Sequence, residues 1–265
     1  MRRAFVPAFA IVTMLAGPVP ALETAWVEAG PARVRLLAAG AGDAGVEIRL
    51  ARGWKTYWRY PGDAGIPPRF DWTGSDNLAR VEVAWPAPER LPEQGGTSIG
   101  YRDGVVFPLR VYARDPREPV KLALKLDFAV CEKICIPADA KLAVTVPVAG
   151  ESISALDTAK ARVPRSARVG DGGRLAVLSV KLERGSGPRA VIDVTVPAGG
   201  FDLFAEGPTE SWALPVPERI SAASGGARFV LPLEGAPPGA DPIPASLRLT
   251  LAADKDAIEV LAPLD

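Results

Sequence analysis

The chain has no histidine. That excludes Ser-His-Asp and Cys-His hydrolysis, both of which need an imidazole base. The only methionines are Met1 and Met14, so a chain processed beyond them has no thioether either. A soft ion such as Cu(I) would then have two thiolates and nothing else, and no other metal centre or cofactor is expected. Long apolar runs are missing too. Even Val120 to Val130 is broken by Lys121, Lys125 and Asp127, well short of the about eighteen residues a membrane-crossing helix requires, so no membrane insertion is expected. Neither sign of charge dominates, with 31 basic and 31 acidic residues, which argues against nucleic-acid binding. No glycine-rich phosphate loop precedes a helical pattern. Carboxylates such as Asp63, Asp71 and Asp103 have no spacing that marks an acid/base pair, and they read as turn and surface residues.

What is present begins with an address. Met1-Arg2-Arg3 is followed by an apolar run from Ala4 to Ala16 and by Gly17-Pro-Val19-Pro-Ala21, with small residues at the exit. This reads as a signal peptide, residues 1–21, cleaved to leave Leu22 first. The remainder is expected in an oxidising exported compartment, where disulfides persist.

Only two cysteines occur, Cys131 and Cys135, separated by three residues. The runs on either side, Val120 to Val130 and Lys141 to Val148, alternate apolar and polar residues like half-buried strands, so the pair sits in a strand-to-strand connection. Pro137 biases Ile136 away from helix and limits that connection to one turn. A bridge here closes so short a loop that its chain-entropy contribution is roughly 2 kcal/mol, against nearly 5 for a hundred-residue loop. It is a poor staple, and short or exposed bridges are typically labile or catalytic. Redox exchange is the leading reading. A local structural bridge, and a binding module with free or Cu(I)-binding thiols, remain open beside it.

From Ala32 the pattern is almost wholly strand and turn, with 27 prolines and 26 glycines as punctuation. Strands are expected at 32–39, 45–51, 69–72, 78–85, 105–113, 120–130 and 141–148, a spacing that points to an all-β, immunoglobulin-like antiparallel sandwich. Two insertions interrupt it. Gly53 to Pro68 sets Trp54, Tyr57, Trp58 and Tyr60 beside a stretch too rich in Gly and Pro for helix or central strand. Its aromatics read as sandwich core or as a wall around the cysteine turn. Leu91 to Gly104 ends in Asp103-Gly104, a tight turn into the next strand.

Gly53 to Arg59, Ser98-Ile-Gly-Tyr101-Arg102-Asp103 with the strand 105–111, and Cys131 to Lys141 with its Cys-Ile-Pro ending resemble, in that order, the periplasmic N-terminal domain of DsbD-type thiol:disulfide interchange proteins. The similarity is greatest to the suppressor of copper sensitivity B (ScsB) branch. The resemblance implies an immunoglobulin-like fold whose cysteine pair takes electrons from a membrane-embedded donor and passes them to periplasmic thioredoxin-fold proteins. By position it makes Cys131 and Cys135 the redox pair, with Tyr57, Trp58, Arg59, Tyr101, Arg102 and Asp103 as supporting neighbours. Three features depart from the family's better-known members. Their cysteines are five residues apart, their shielding loop carries a phenylalanine where Leu91 to Gly96 has no aromatic, and their membrane and thioredoxin-like modules have no counterpart in this sequence. The electron donor is therefore expected to be a separate protein.

Between Glu151 and Arg168 the strand pattern lapses around a short amphipathic helix, which gives an expected division into 22–150, a linker 151–168, and 169–265. Further strands are expected at 174–183, 190–196, 201–205, 228–233, 246–252 and 257–261. The second half reads as a divergent copy of the first. Trp85-Pro-Ala-Pro-Glu-Arg-Leu91 answers to Leu214-Pro-Val-Pro-Glu-Arg-Ile220, Val106-Phe-Pro-Leu109 to Val230-Leu-Pro-Leu233, and Gly53-Trp54 with Tyr57 to Gly200-Phe201 with Phe204. The copy lacks the Tyr60 to Pro68 insertion, and Asp254-Lys255-Asp256 replaces the cysteine turn. Two tandem sandwiches follow, with the chemistry in the first.

Overall fold

Strand follows strand along the chain because the apolar residues recur at a period of two, and each alternation closes one face of a sheet over a core. A computed structural model describes residues 22–62, 65–93, 96–185, 187–223, 225–254 and 256–264, and the expected signal segment lies outside them. The first half runs β1 (Val27–Ala29), β2 (Ala32–Gly40), β3 (Asp43–Leu50), β4 (Lys55–Gly62), β5 (Arg69–Asp71), β6 (Leu78–Val83), β7 (Glu89–Glu93), β8 (Gly96–Arg102), β9 (Gly104–Ala113), β10 (Val120–Cys131) and β11 (Cys135–Val146). After α1 (Ser154–Lys160) come β12 (Arg165–Ala167), β13 (Ala176–Glu183), β14 (Arg189–Thr195), β15 (Phe201–Glu206), β16 (Glu218–Ala223), β17 (Gly226–Pro232), β18 (Ser246–Ala253) and β19 (Asp256–Pro263).

The first half forms a five-stranded sheet, β1-β2-β3-β9-β6, and a six-stranded one in which β11-β10-β4-β8-β7 are joined in order and β5 pairs with β10. Val34, Leu36, Val46, Ile48 and Phe107 from one sheet, with Leu122, Leu124, Leu126 and Val130 from the other, make one buried core. The second half forms β13-β14-β17-β16 and β12-β19-β18-β15, closing over Ile192, Val194, Phe229, Leu231, Leu249, Leu251 and Val260. The fold is all-β and immunoglobulin-like, two sandwiches in tandem.

The two sandwiches share one wiring. β2-β3-β9-β6 has the order of β13-β14-β17-β16, and β11-β10-β4 that of β19-β18-β15. Among the described residues the second has no counterpart to β1, β5, β7 and β8. This supports duplication more firmly than the sequence matches do, and it corrects one of them. Glu89-Arg90-Leu91 opens β7, whereas Glu218-Arg219-Ile220 opens β16, the counterpart of β6. What the two Pro-rich stretches share is that each leads into an edge strand, where proline is tolerated. The matches in β9 with β17 and in β4 with β15 do fall on equivalent strands.

The segment 151–168 is divided between the sandwiches. Leu156 of α1 packs on Leu37 and Ala39 of the first, while β12 pairs in parallel with β19 of the second. The Gly53 to Pro68 insertion also differs from expectation, because its first part is a central strand, β4. The prolines do not prevent this, since β4 pairs with β10 only at Thr56 and Lys55, and Pro61 lies where its ladder with β8 is interrupted. The stretch 91–104 is likewise the β7–β8 hairpin and its exit, with Asp103 and Gly104 both at positive φ as the expected turn demands.

Candidate functional site

β10 and β11 form one hairpin whose register runs from Val120↔Val146 to Cys131↔Cys135. Each odd residue of β10 near its end faces away from the core, so Ala129 and Cys131 stand on the outer face of the six-stranded sheet. Directly opposed residues of an antiparallel pair are close enough for a bridge. Cys131 and Cys135 are disulfide-bonded, with their Cα atoms 4.1 Å apart, across the connection Glu132-Lys133-Ile134. Pro137 lies in β11 opposite Ala129, on an edge strand that tolerates it.

The two sulfurs are not equivalent. Cys131 is 2% exposed and packs with Tyr57 and Ala129 in a small cluster separate from the main core. Cys135 is exposed, as are Glu132, Lys133 and Ile136 around it. At the tip of the turn Ile134 is 75% exposed. Of the two residues, Cys135 is therefore the one that is open to solvent.

Tyr57 meets that sulfur from below. β4 is seated on β10 by the pairs Val130↔Thr56 and Cys131↔Lys55, and the Thr56 hydroxyl donates to the Ala129 carbonyl at 2.9 Å. The next residue, fully buried, brings its phenol oxygen 2.9 Å from Cys135 Sγ. A disulfide sulfur carries no proton, so the phenol is the donor. Gly65 closes over this ring. A Cβ there would lie 2.7 Å from Tyr57 Cδ1 and 2.3 Å from Pro61 Cβ, which only glycine avoids. Gly100, opposite Tyr57 on β8, is similarly constrained, since a Cβ would come 2.0 Å from the Thr56 carbonyl oxygen. Part of the insertion thus serves as a wall at the cysteine turn, through Tyr57.

The other expected neighbours go elsewhere. Trp58 is buried in the first core, with its ring centroid 5.9 Å from that of Phe204 in the second sandwich. Arg59 turns from the sulfurs to Glu206 and Glu259 across the same junction, with its guanidinium over the Trp58 ring. Burial opposes the charge, but the two carboxylates outweigh it and hold the Arg59 pKa above its ordinary value. The Tyr101 hydroxyl donates to the Pro86 carbonyl at 2.9 Å. Burial raises its pKa well above the ordinary tyrosine value, so it is a neutral structural donor. Arg102 is exposed and 3.8 Å from Glu89. Asp103 shapes the β8–β9 turn, and its carbonyl accepts from the Leu50 amide.

One neighbour was missed from sequence. Lys55, largely buried, stands opposite Cys131 on one side and Arg102 on the other. Two cations therefore share a cross-strand row with the disulfide. The signal was available, because Lys55 is two residues before Tyr57 and shares its face. Asp127, the nearby carboxylate on β10, is engaged by Lys125 at 3.1 Å. Among the described residues no group of three or more Cys, Asp or Glu is arranged to hold a metal, and no helix is long and apolar enough to cross a membrane.

Residues 23–147 match the family described as thiol:disulfide interchange protein DsbD, N-terminal. No curated protein sequence matches the chain significantly. Among solved structures, the N-terminal periplasmic domain of ScsB from Proteus mirabilis is similar, with a TM-score of 0.69 at 20% identity. The match covers 92% of this chain and 98% of that one. At that identity the likeness is one of fold, and it extends over both sandwiches.

Proposed function

We propose, from the match of residues 23–147 to the DsbD N-terminal family, that the protein is a periplasmic thiol-disulfide exchange carrier. Its redox pair is Cys131 and Cys135. The observation that carries this reading is the asymmetry of the bridge, one cysteine buried and the other exposed with its sulfur beside a phenol donor. A donor thiolate attacks Cys135 Sγ, the Cys131 sulfur leaves as a thiolate, and a mixed disulfide forms. A second donor thiolate then displaces Cys135, which leaves the pair reduced and the donor oxidised. In the opposite half of the cycle the Cys135 thiolate attacks an acceptor's disulfide, and Cys131 resolves the mixed species. Lys55 and Arg102 favour the thiolates electrostatically.

The donor is a membrane-embedded module of DsbD type, and the acceptors are periplasmic thioredoxin-fold proteins. A link to copper tolerance belongs to the same proposal. With only two thiolates to offer, the pair holds Cu(I) when reduced and not when oxidised. Residues 22–150 carry the chemistry, and 169–265 carry none of their own. The leader, residues 1–21, delivers the protein to the periplasm. The test is the equilibrium of the purified protein with a small dithiol. Structural bridges of exported proteins lie below about −300 mV, so a potential above that supports a carrier, and one well below it supports a local bridge.

A further inference from the structure

Tyr57 is the last residue of β4 before the strand's pairing with its own sheet lapses. β4 pairs with β10 at two positions, and its ladder with β8 breaks between Tyr57↔Gly100 and Gly62↔Ser98. The three residues that follow Tyr57 are instead engaged by the second sandwich. Trp58 meets Phe204. Arg59 donates to Glu206, through Nη2 at 2.7 Å and Nε at 2.9 Å, and to Glu259. The Tyr60 hydroxyl lies 3.1 Å from the Trp212 carbonyl and 3.0 Å from that of Leu214. Phe204 is fully buried, yet it joins the first core and not its own.

We infer that the second sandwich is a positioning element for the redox pair: by clamping β4 through Arg59 and Tyr60 it fixes the Tyr57 hydroxyl on Cys135 and so sets how readily the disulfide is reduced. The inference rests on the exchange reading above. Arg59, Tyr60, Glu206 and Glu259 are positioning residues, since none touches a sulfur. The direction follows from hydrogen-bond chemistry. A donor is bound more strongly by a charged acceptor than by a neutral one, so the Tyr57 hydroxyl stabilises the Cys135 thiolate more than the disulfide sulfur. Loosening β4 weakens that preference. The equilibrium then moves toward the disulfide, and the Cys135 thiol loses acidity.

The experiment uses the full exported chain equilibrated with a small dithiol, which becomes its cyclic disulfide as Cys131 and Cys135 become thiols. Cys135 acidity is read from the pH dependence of its alkylation. Wild type, Tyr60→Phe and Glu206→Gln/Glu259→Gln are each measured with Tyr57 and with Tyr57→Phe. With Tyr57 present, the clamp variants should shift the equilibrium toward the disulfide by up to about five-fold, the worth of one ordinary hydrogen bond. In the Tyr57→Phe background they should shift nothing further. Equal shifts in both backgrounds, or none in either, overturn the inference. Should the double variant fail to fold, Tyr60→Phe decides, because it strands no charge. A wild-type bridge that does not exchange at all defeats the exchange reading itself, an outcome distinct from clamp variants that exchange like wild type.

Discussion

The hairpins β10–β11 and β18–β19 occupy the same place in the two sandwiches, and only one carries a disulfide. β18–β19 holds its register from Ser246↔Pro263 to Ala253↔Asp256 with no bridge, and the core beneath it is closed by Leu247, Leu249, Leu251, Ile258 and Val260. The fold therefore makes this hairpin without a crosslink. The neighbouring strands repeat the contrast. Tyr57 in β4 and Phe204 in β15 both leave their own core, but Tyr57 reaches a sulfur while Phe204 enters the other sandwich. One scaffold carries a disulfide turn in the first copy and a docking surface in the second, as expected where function lives in the site and not in the fold.

The comparison is broken most directly by removing a sulfur. Cys135→Ser should abolish exchange with a small dithiol while the circular dichroism spectrum and unfolding cooperativity are retained, as the bridge-free hairpin implies. If Cys135→Ser leaves the chain unfolded, the two hairpins are not equivalent and the bridge is structural.

Next in size is the docking position. Phe204→Ala removes a fully buried ring where two cores meet, and large-to-small aromatic changes of this kind cost about 3–5 kcal/mol. Urea denaturation should show that loss. Tyr57→Phe, at the matching position of the first copy, keeps the ring and should change stability far less while still altering the redox equilibrium. Equal destabilisation by the two would show that Tyr57 serves packing alone.

A smaller effect concerns pH. Burial raises the Glu259 pKa, but Arg59 and Arg248 outweigh it and hold the carboxyl below its ordinary 4.5. A depressed folded-state value means that this contribution is complete above the unfolded value and is lost as pH falls through the folded one. The melting temperature should therefore drop on acidification below about pH 4.5. Glu259→Gln should flatten that part of the profile, and an unchanged profile would count against the ion-paired junction. Smallest of all should be Arg102→Ala, at an exposed side chain. A change in stability within about 0.5 kcal/mol is expected, and thermal melts resolve it.

Much of this was legible in the sequence because the governing interactions are local. Alternation at period two marked most strands of both sandwiches, with β1, β4, β7, β8, β12 and β16 excepted. Three intervening residues kept Cys131 and Cys135 in one turn, and Asp103-Gly104 announced its own backbone conformation. The absence of histidine and the placement of both methionines removed whole classes of chemistry. What only the tertiary structure decided were contacts between distant segments. The prolines of Gly53 to Pro68 suggested a loop, yet β4 is a central strand because its pairing with β10 needs only Thr56 and Lys55. Tyr57, Trp58 and Arg59 are consecutive, and nothing local says that the first meets a sulfur, the second a core and the third two carboxylates of another sandwich. Those destinations depend on which face each residue presents and on what a strand some 150 positions away brings to it. Likewise the exposure of Cys135 and the burial of Cys131 follow from the turn's seat on β4, a packing fact that spacing alone does not contain.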